Sequence, residues 1–172
     1  MLLLLPLVLA FAGDAPVHRG PFYDVLESPT RHVRTTDRTI AGLLKTGAER
    51  SYTFAHLLRR LESTDVTVYI EQTPYLPHRL DGSLVILPIP GPRRYVRIQL
   101  TMAIGHDHVD AIGVLAHELW HAIEVADSPE VHDDNTLAAL YKRIGMQSVG
   151  ENFYETTAAQ ETGKQVRREL TA

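Results

Sequence analysis

Apolar residues recur along this chain at two periods, and the changes between them mark off its elements. From 37 to 61, Ile40, Leu43, Leu44, Phe54, Leu57, Leu58 and Leu61 follow the 3.6-residue period of an amphipathic helix. Thr36 and Asp37 can cap it, and Gly42 and Gly47 are the places where it could bend. The period then drops to two: Val66, Val68 and Ile70 alternate with Thr67, Tyr69 and Glu71, the pattern of a half-buried strand. Leu84 to Leu87 is apolar on both faces. The turn Pro88-Ile89-Pro90-Gly91-Pro92 leads into a third strand, Tyr95 to Leu100, with Val96, Ile98 and Leu100 on one side.

Helical spacing returns at Val109 and holds to Ala126, where Ile112, Leu115, Ala116, Leu119, Ala122, Ile123 and Ala126 form one broad stripe. Val114 and Val125 lie on the other side, which predicts a helix covered on both faces. Asp133, Asp134 and Asn135 offer caps for a helix carrying Leu137, Leu140, Tyr141 and Ile144, closed by Gly145. From Glu151 to Leu170, Ala158, Ala159, Thr162, Val166 and Leu170 define a last helical face. The order is helix, three strands, then three helices, which predicts a single α+β domain over 37–172 preceded by an irregular extension at 13–36.

The chemistry sits on the helix from Val109 to Ala126. His117-Glu118-Leu119-Trp120-His121 is an H-E-x-x-H motif, which puts two imidazoles on one helical face at i and i+4 with a carboxylate beside them. Neutral His117 and His121 suit a Zn²⁺ ion, and Glu118 is offset enough to reach a water at the metal rather than the metal itself. Asp110 and Glu124 share the ligand side and could orient the imidazoles through their second ring nitrogens, or could be ordinary solvated carboxylates. Gly105-His106-Asp107-His108, just before the helix, reads as capping and solvated groups rather than a second metal site.

A catalytic zinc takes three protein ligands and keeps one position open, so a third ligand is required. Glu155 is the first candidate: it falls near the centre of the last helical face, where an ionised carboxylate without a cation is costly. Asp127, Glu151 and His132 are rivals. Asp127 stands six residues after His121, but the sharp turn that such a ligand needs lacks its glycine, since Glu124 holds that position.

HELWH followed some thirty residues later by Glu155-Thr156-Thr157-Ala158-Ala159 resembles the gluzincin branch of zinc metallopeptidases, and the short chain is similar to its minimal members. The resemblance implies a minimal zincin-like fold whose C-terminal helices supply the third ligand. It also implies a peptide or protein substrate pairing with a sheet edge, for which Leu84 to Pro88 is the choice. One position departs from the pattern. The thermolysin-like members have an Asp four residues after the ligand Glu, and here that residue is Ala159, leaving the partner of His117 unassigned.

Composition narrows the remaining classes. A net charge of −4 without any long Lys/Arg run excludes the electrostatic footprint of a nucleic-acid binder. Arg93, Arg94 and Arg97 read as a solvated strand end, with substrate-carboxylate binding as the lesser option. Residues 1–12 are almost wholly apolar and end in Ala10-Phe11-Ala12, the pattern of a signal peptide. A helix of that length reaches only about 18 Å, short of a bilayer, so the mature chain is expected to have no membrane span and to be secreted or periplasmic. With no Cys, no disulfide framework is available.

The expected activity is zinc-dependent hydrolysis of peptide bonds, with Glu118 as general base. A further donor is expected at the oxyanion, and Tyr154, Tyr141, His132 and Arg143 are the candidates. The alternative is a catalytically inactive zincin-like module that binds metal and serves interaction. An intact Glu118 argues against it.

Overall fold

The computed structural model describes residues 31–77, 80–101, 107–147 and 154–172. The signal peptide expected at 1–12 and the extension as far as residue 30 lie outside them. The fold is of the mixed α+β class, and among the described residues no helix is long and apolar enough to cross a membrane.

The helix expected from residue 37 to 61 forms as two, α1 (Arg38–Arg50) and α2 (Tyr52–Glu62). Asp37 caps α1 by accepting from the Thr39 and Ile40 amides at 2.7 and 3.1 Å. The break falls at Ser51 rather than at either glycine. Its backbone is extended (φ −126°), its amide still bonds Gly47 O, and its hydroxyl accepts from the Phe54 amide, so one residue closes α1 and caps α2. The apolar period survives because Ile40, Leu43 and Leu44 of α1 and Phe54, Leu57, Leu58 and Leu61 of α2 enter the same core.

Glu169 of the last helix fastens this junction. Its carboxylate accepts from Ser51 Oγ at 2.5 Å, from Thr53 N at 3.0 Å and Oγ1 at 2.6 Å, and from Gln165 Nε2 at 2.8 Å. Desolvation raises its pKa, but these donors outweigh it and bring the group from its ordinary 4.5 down to about 2. A pKa depressed by folding stabilises the native state above 4.5 and loses that contribution as pH falls toward 2. Glu169→Gln is therefore expected to lower the urea midpoint at pH 7, the gap from wild type closing between pH 4.5 and 2. A gap that stays constant across that range would remove the carboxylate from the account.

The sheet, expected to have three strands or more, has four: β1 (Val33–Thr35), β2 (Val66–Thr73), β3 (Gly82–Leu87) and β4 (Arg94–Thr101), in the order β1-β2-β4-β3. The added strand, β1, lies in the stretch read as irregular, and its three residues are too few to show a period. β1, β2 and β4 run parallel, while β3, at the edge, is antiparallel to β4, the proline-rich turn joining the two. In register, Val66, Val68 and Ile70 stand beside Arg94, Val96 and Ile98, and these apolar side chains face the helices.

Arg94 corrects the expectation of a solvated strand end. It is 6 % exposed, holds Asp65 through two bonds of 2.8 and 2.7 Å, and donates to the carbonyls of Val125, Ser128 and Ala126 at 2.7, 2.7 and 3.1 Å. Those carbonyls end α3 (His108–Ala126), the helix that carries the H-E-x-x-H motif, so a buried cation sits at its negative terminus. Arg93 and Arg97 are the solvated members, Arg93 donating to His32 Nε2 and Arg97 facing Glu71. Arg94→Met should leave Asp65 without its cation and Ala126 O without its donor, while Val125 O and Ser128 O keep the amides of Ser128 and Val131, and should lower unfolding free energy by about 3–5 kcal/mol. Urea denaturation of the two proteins checks this, and a loss below 1 kcal/mol would show that water substitutes for the guanidinium.

Asp107 caps α3 through the Val109 amide, which fits the capping role expected of this stretch; His106 lies outside the described residues. Both faces of α3 are covered, with Ile112, Leu115 and Leu119 buried behind and Glu118, His121 and Val125 buried in front. α4 (Asp134–Ile144) carries the expected Asp133 cap and ends at Gly145. β5 (Met146–Gln147) and β6 (Tyr154–Glu155) form a small antiparallel pair, and α5 (Thr157–Thr171) follows.

The last segment is thus not one helix from Glu151. Thr156 caps α5 through the Ala159 amide, so Glu155 belongs to β6 and not to a helical face. Ala158 is exposed, and the packed face of α5 is Ala159, Thr162, Gly163, Val166 and Leu170. α5 crosses α3 closely: a Cβ on Gly163 would lie 2.8 Å from Gly113 O and 3.4 Å from His117 Cβ.

Candidate metal centre

His117 and His121 stand one helical turn apart on the front of α3, their rings 4.8 Å apart and nearly perpendicular. Their Nε2 atoms are separated by 3.1 Å. Glu155 is delivered from the opposite wall by β6, with Oε2 at 3.3 Å from His117 Nε2. Its position follows from the chain just after it, because Thr156 is pinned both as the cap of α5 and by donating to Glu124 Oε1 at 2.6 Å. The three donor atoms lie within 4.8 Å of one another, the one group of this kind among the described residues.

Two donors bound at about 2.0–2.1 Å in a tetrahedral shell lie about 3.3 Å apart, which matches two of the three separations. Two imidazole nitrogens and a carboxylate oxygen are also a donor set for a borderline divalent ion. The residues therefore fit a metal of the expected kind. Burial alone would raise the pKa of Glu155, but the hydrogen bond and charge of His117 outweigh it and leave it lowered. For His117 burial works downward, and the bond to Glu155 with the charge of Glu118 reverses it.

Glu118 is 5 % exposed and lies beside this group, beneath the edge strand β3. Burial raises its pKa, His121 and His117 pull it back, and Glu155 adds to the rise. A cleft of about 580 Å³ opens over it, with Glu118, His121 and Glu155 at its polar floor and Leu76, Leu80, Leu84, Leu137 and Tyr141 among its walls.

Of the two orienting carboxylates considered, Glu124 is in place and Asp110 is not. Glu124 Oε2 accepts from His121 Nδ1 at 2.7 Å, while its Oε1 accepts from Trp120 Nε1 at 3.0 Å and from Thr156 Oγ1. This fixes His121 with Nδ1 as donor and leaves Nε2 free of that proton for the centre. Asp110 instead pairs with Arg167 at 3.1 Å. Among the described residues His117 Nδ1 makes no hydrogen bond, and Ala159, where the thermolysin-like pattern has its Asp, is fully buried.

The rival ligands lie elsewhere. Asp127 ends α3 and pairs with Arg60, His132 lines a separate pocket by the 88–93 turn, and Glu151 is outside the described residues. Among the oxyanion candidates, Arg143 pairs with Glu130 on the surface, and Tyr154 is in β6 directly before Glu155. Tyr141 lines the cleft and meets the His121 ring edge-on at 5.3 Å. Thr156 and Trp120 carry no role in the sequence expectations; their only signal is adjacency to Glu155 and to His121.

No protein-family model, curated protein or solved structure matches this chain, so the centre is read from its own residues.

Proposed function

We propose that this chain is a zinc-dependent hydrolase of peptide bonds, similar in its centre to the gluzincins. The observation that carries the reading is the convergence of His117, His121 and Glu155 beside a buried Glu118 at the floor of an open cleft. Those three residues would hold the ion. When bound, the metal supplies Lewis acidity, lowering the pKa of a water and polarising a carbonyl oxygen.

The protein's own groups do the rest. Glu118 takes the proton of the attacking water on a carboxylate oxygen and passes it to the departing amine. Its burial suits both halves of that task, because a desolvated carboxylate holds a proton more readily than one in water. Tyr141 stays protonated, since burial first and then Glu124, Glu118 and Glu155 raise its pKa well above 10.0. A protonated phenol lining the cleft beside His121 supports Tyr141 over Arg143 as the donor to a developing oxyanion. Glu124 keeps the His121 ring in one orientation. The edge of β3 borders the cleft along Gly82 to Val85, so an extended peptide would add there as a further strand; of the expected edge Leu84 to Pro88, only Leu84 and Val85 line the cleft, and Ile86 to Pro88 line a separate pocket.

The test is metal analysis of the purified chain together with turnover of peptide libraries, before and after chelation. One zinc per chain and hydrolysis that chelation removes and zinc restores are the expected results. Stoichiometric zinc without turnover would replace this reading with that of a metal-binding interaction module. Absence of bound metal would overturn both.

A further inference from the structure

We infer that Gly82, in the edge strand β3, is a positioning residue for Glu118. The inference rests on the general-base role proposed above. A Cβ built on Gly82 would lie 2.6 Å from Glu118 Oε1, 2.8 Å from its Cγ and 3.0 Å from its Cδ. No side chain can occupy that space while Glu118 stays where it is. The absent side chain is therefore the slot in which the carboxylate is held.

Of the two partners, it is the Glu118 side chain that must give way. Gly82 is locked into the antiparallel ladder opposite Leu100, and the register continues without interruption to Leu87 opposite Tyr95. Backing this end of β3 away would break its pairing with β4 at Leu100 and the neighbouring Thr101 N to Asp81 O bond. Glu118 is 5 % exposed on a helix covered on both faces, so its carboxylate can leave the slot only toward the cleft or the two imidazoles. Either displacement changes where its oxygens stand relative to the centre. A glycine inside a strand gives up side-chain packing and marks a close approach, which here is that of the base itself. The three atoms nearest the added Cβ all belong to Glu118, so Gly82 is read as acting through Glu118 rather than through the metal ligands.

The experiment combines Gly82→Ala with Glu118→Asp and with Glu118→Ala, each zinc-loaded, reading kcat, KM, bound zinc and thermal midpoint. In the otherwise wild-type chain Gly82→Ala should keep one zinc and a similar KM, lose about 100-fold in kcat and lower Tm by several degrees. Glu118→Asp, with its shorter side chain, should absorb the added methyl, so that the double variant is at least as active as Glu118→Asp alone. In the Glu118→Ala background Gly82→Ala should cost no Tm. Equal Tm losses in both backgrounds, or an unchanged kcat in Gly82→Ala, would overturn the inference. Wild-type protein without turnover would defeat the proposed function instead, and the Tm coupling would still decide whether the slot exists. Should Gly82→Ala fail to fold, recovery of folding in Gly82→Ala/Glu118→Ala supports the slot and continued failure overturns it.

Discussion

Glu118→Gln is expected to retain one zinc per chain and to lose about 10²–10⁴-fold in kcat, with KM little changed. The amide fills the space of the carboxylate beneath Gly82 and cannot take up a proton from water. The substitution also removes a buried group whose charged form is penalised by desolvation, so the variant should be as thermostable as wild type or more so. That combination separates a chemical role from a structural one. A variant that unfolds earlier and loses activity in proportion would make Glu118 a packing residue. One that keeps most of the wild-type rate would remove it from the reaction.

The second large effect is expected at the ligands. Ala in place of His117, His121 or Glu155 leaves two donors, and such a chain should emerge from dialysis without stoichiometric zinc, whereas Asp127→Ala, which lies at the Arg60 pair, should keep it. Glu124→Ala falls between these limits. It takes the acceptor from His121 Nδ1 without removing a ligand, and a loss of about 10–100-fold in metal affinity is the usual scale for such a change. Zinc should also raise the thermal midpoint of wild type, because an ion that binds only the folded chain stabilises it in proportion to its free concentration over Kd. Competition against a chromophoric chelator measures the series. Full occupancy in Glu155→Ala with loss in Asp127→Ala or Glu151→Ala would reassign the third ligand.

What could be read from the sequence was whatever a local period or cap specifies. The stripe from Ile112 to Ala126 fixed both the helix and the side on which His117 and His121 emerge, and Asp37, Asp107 and Asp133 each cap the helix they precede. The choice of Glu155 rests on a buried helical face, whereas the residue lies half-buried in β6, beside His117. The short β5–β6 pair has too few residues to show a period, and Thr156 looked like one more polar helix position until its contacts with Ala159 and Glu124 were visible. Ser51 was hidden likewise, because two helices entering one core keep a common apolar rhythm across their junction. Arg94 was illegible for a different reason. Its partners are carbonyls 31 or more residues away, and backbone groups leave no mark in a sequence.

Trp120 is the one tryptophan of the chain, and its indole N–H ends on the same carboxylate that steadies His121. Arg60 lies over its ring at 5.7 Å and at the same time pairs with Asp127 at the end of α3. The molecule therefore carries a single built-in fluorophore, hydrogen-bonded one residue removed from the centre and with no second indole to blur its emission. Ultraviolet excitation of the unlabelled protein reports on the Glu124 network, so zinc addition is expected to change this emission, with no dye, tag or substrate needed.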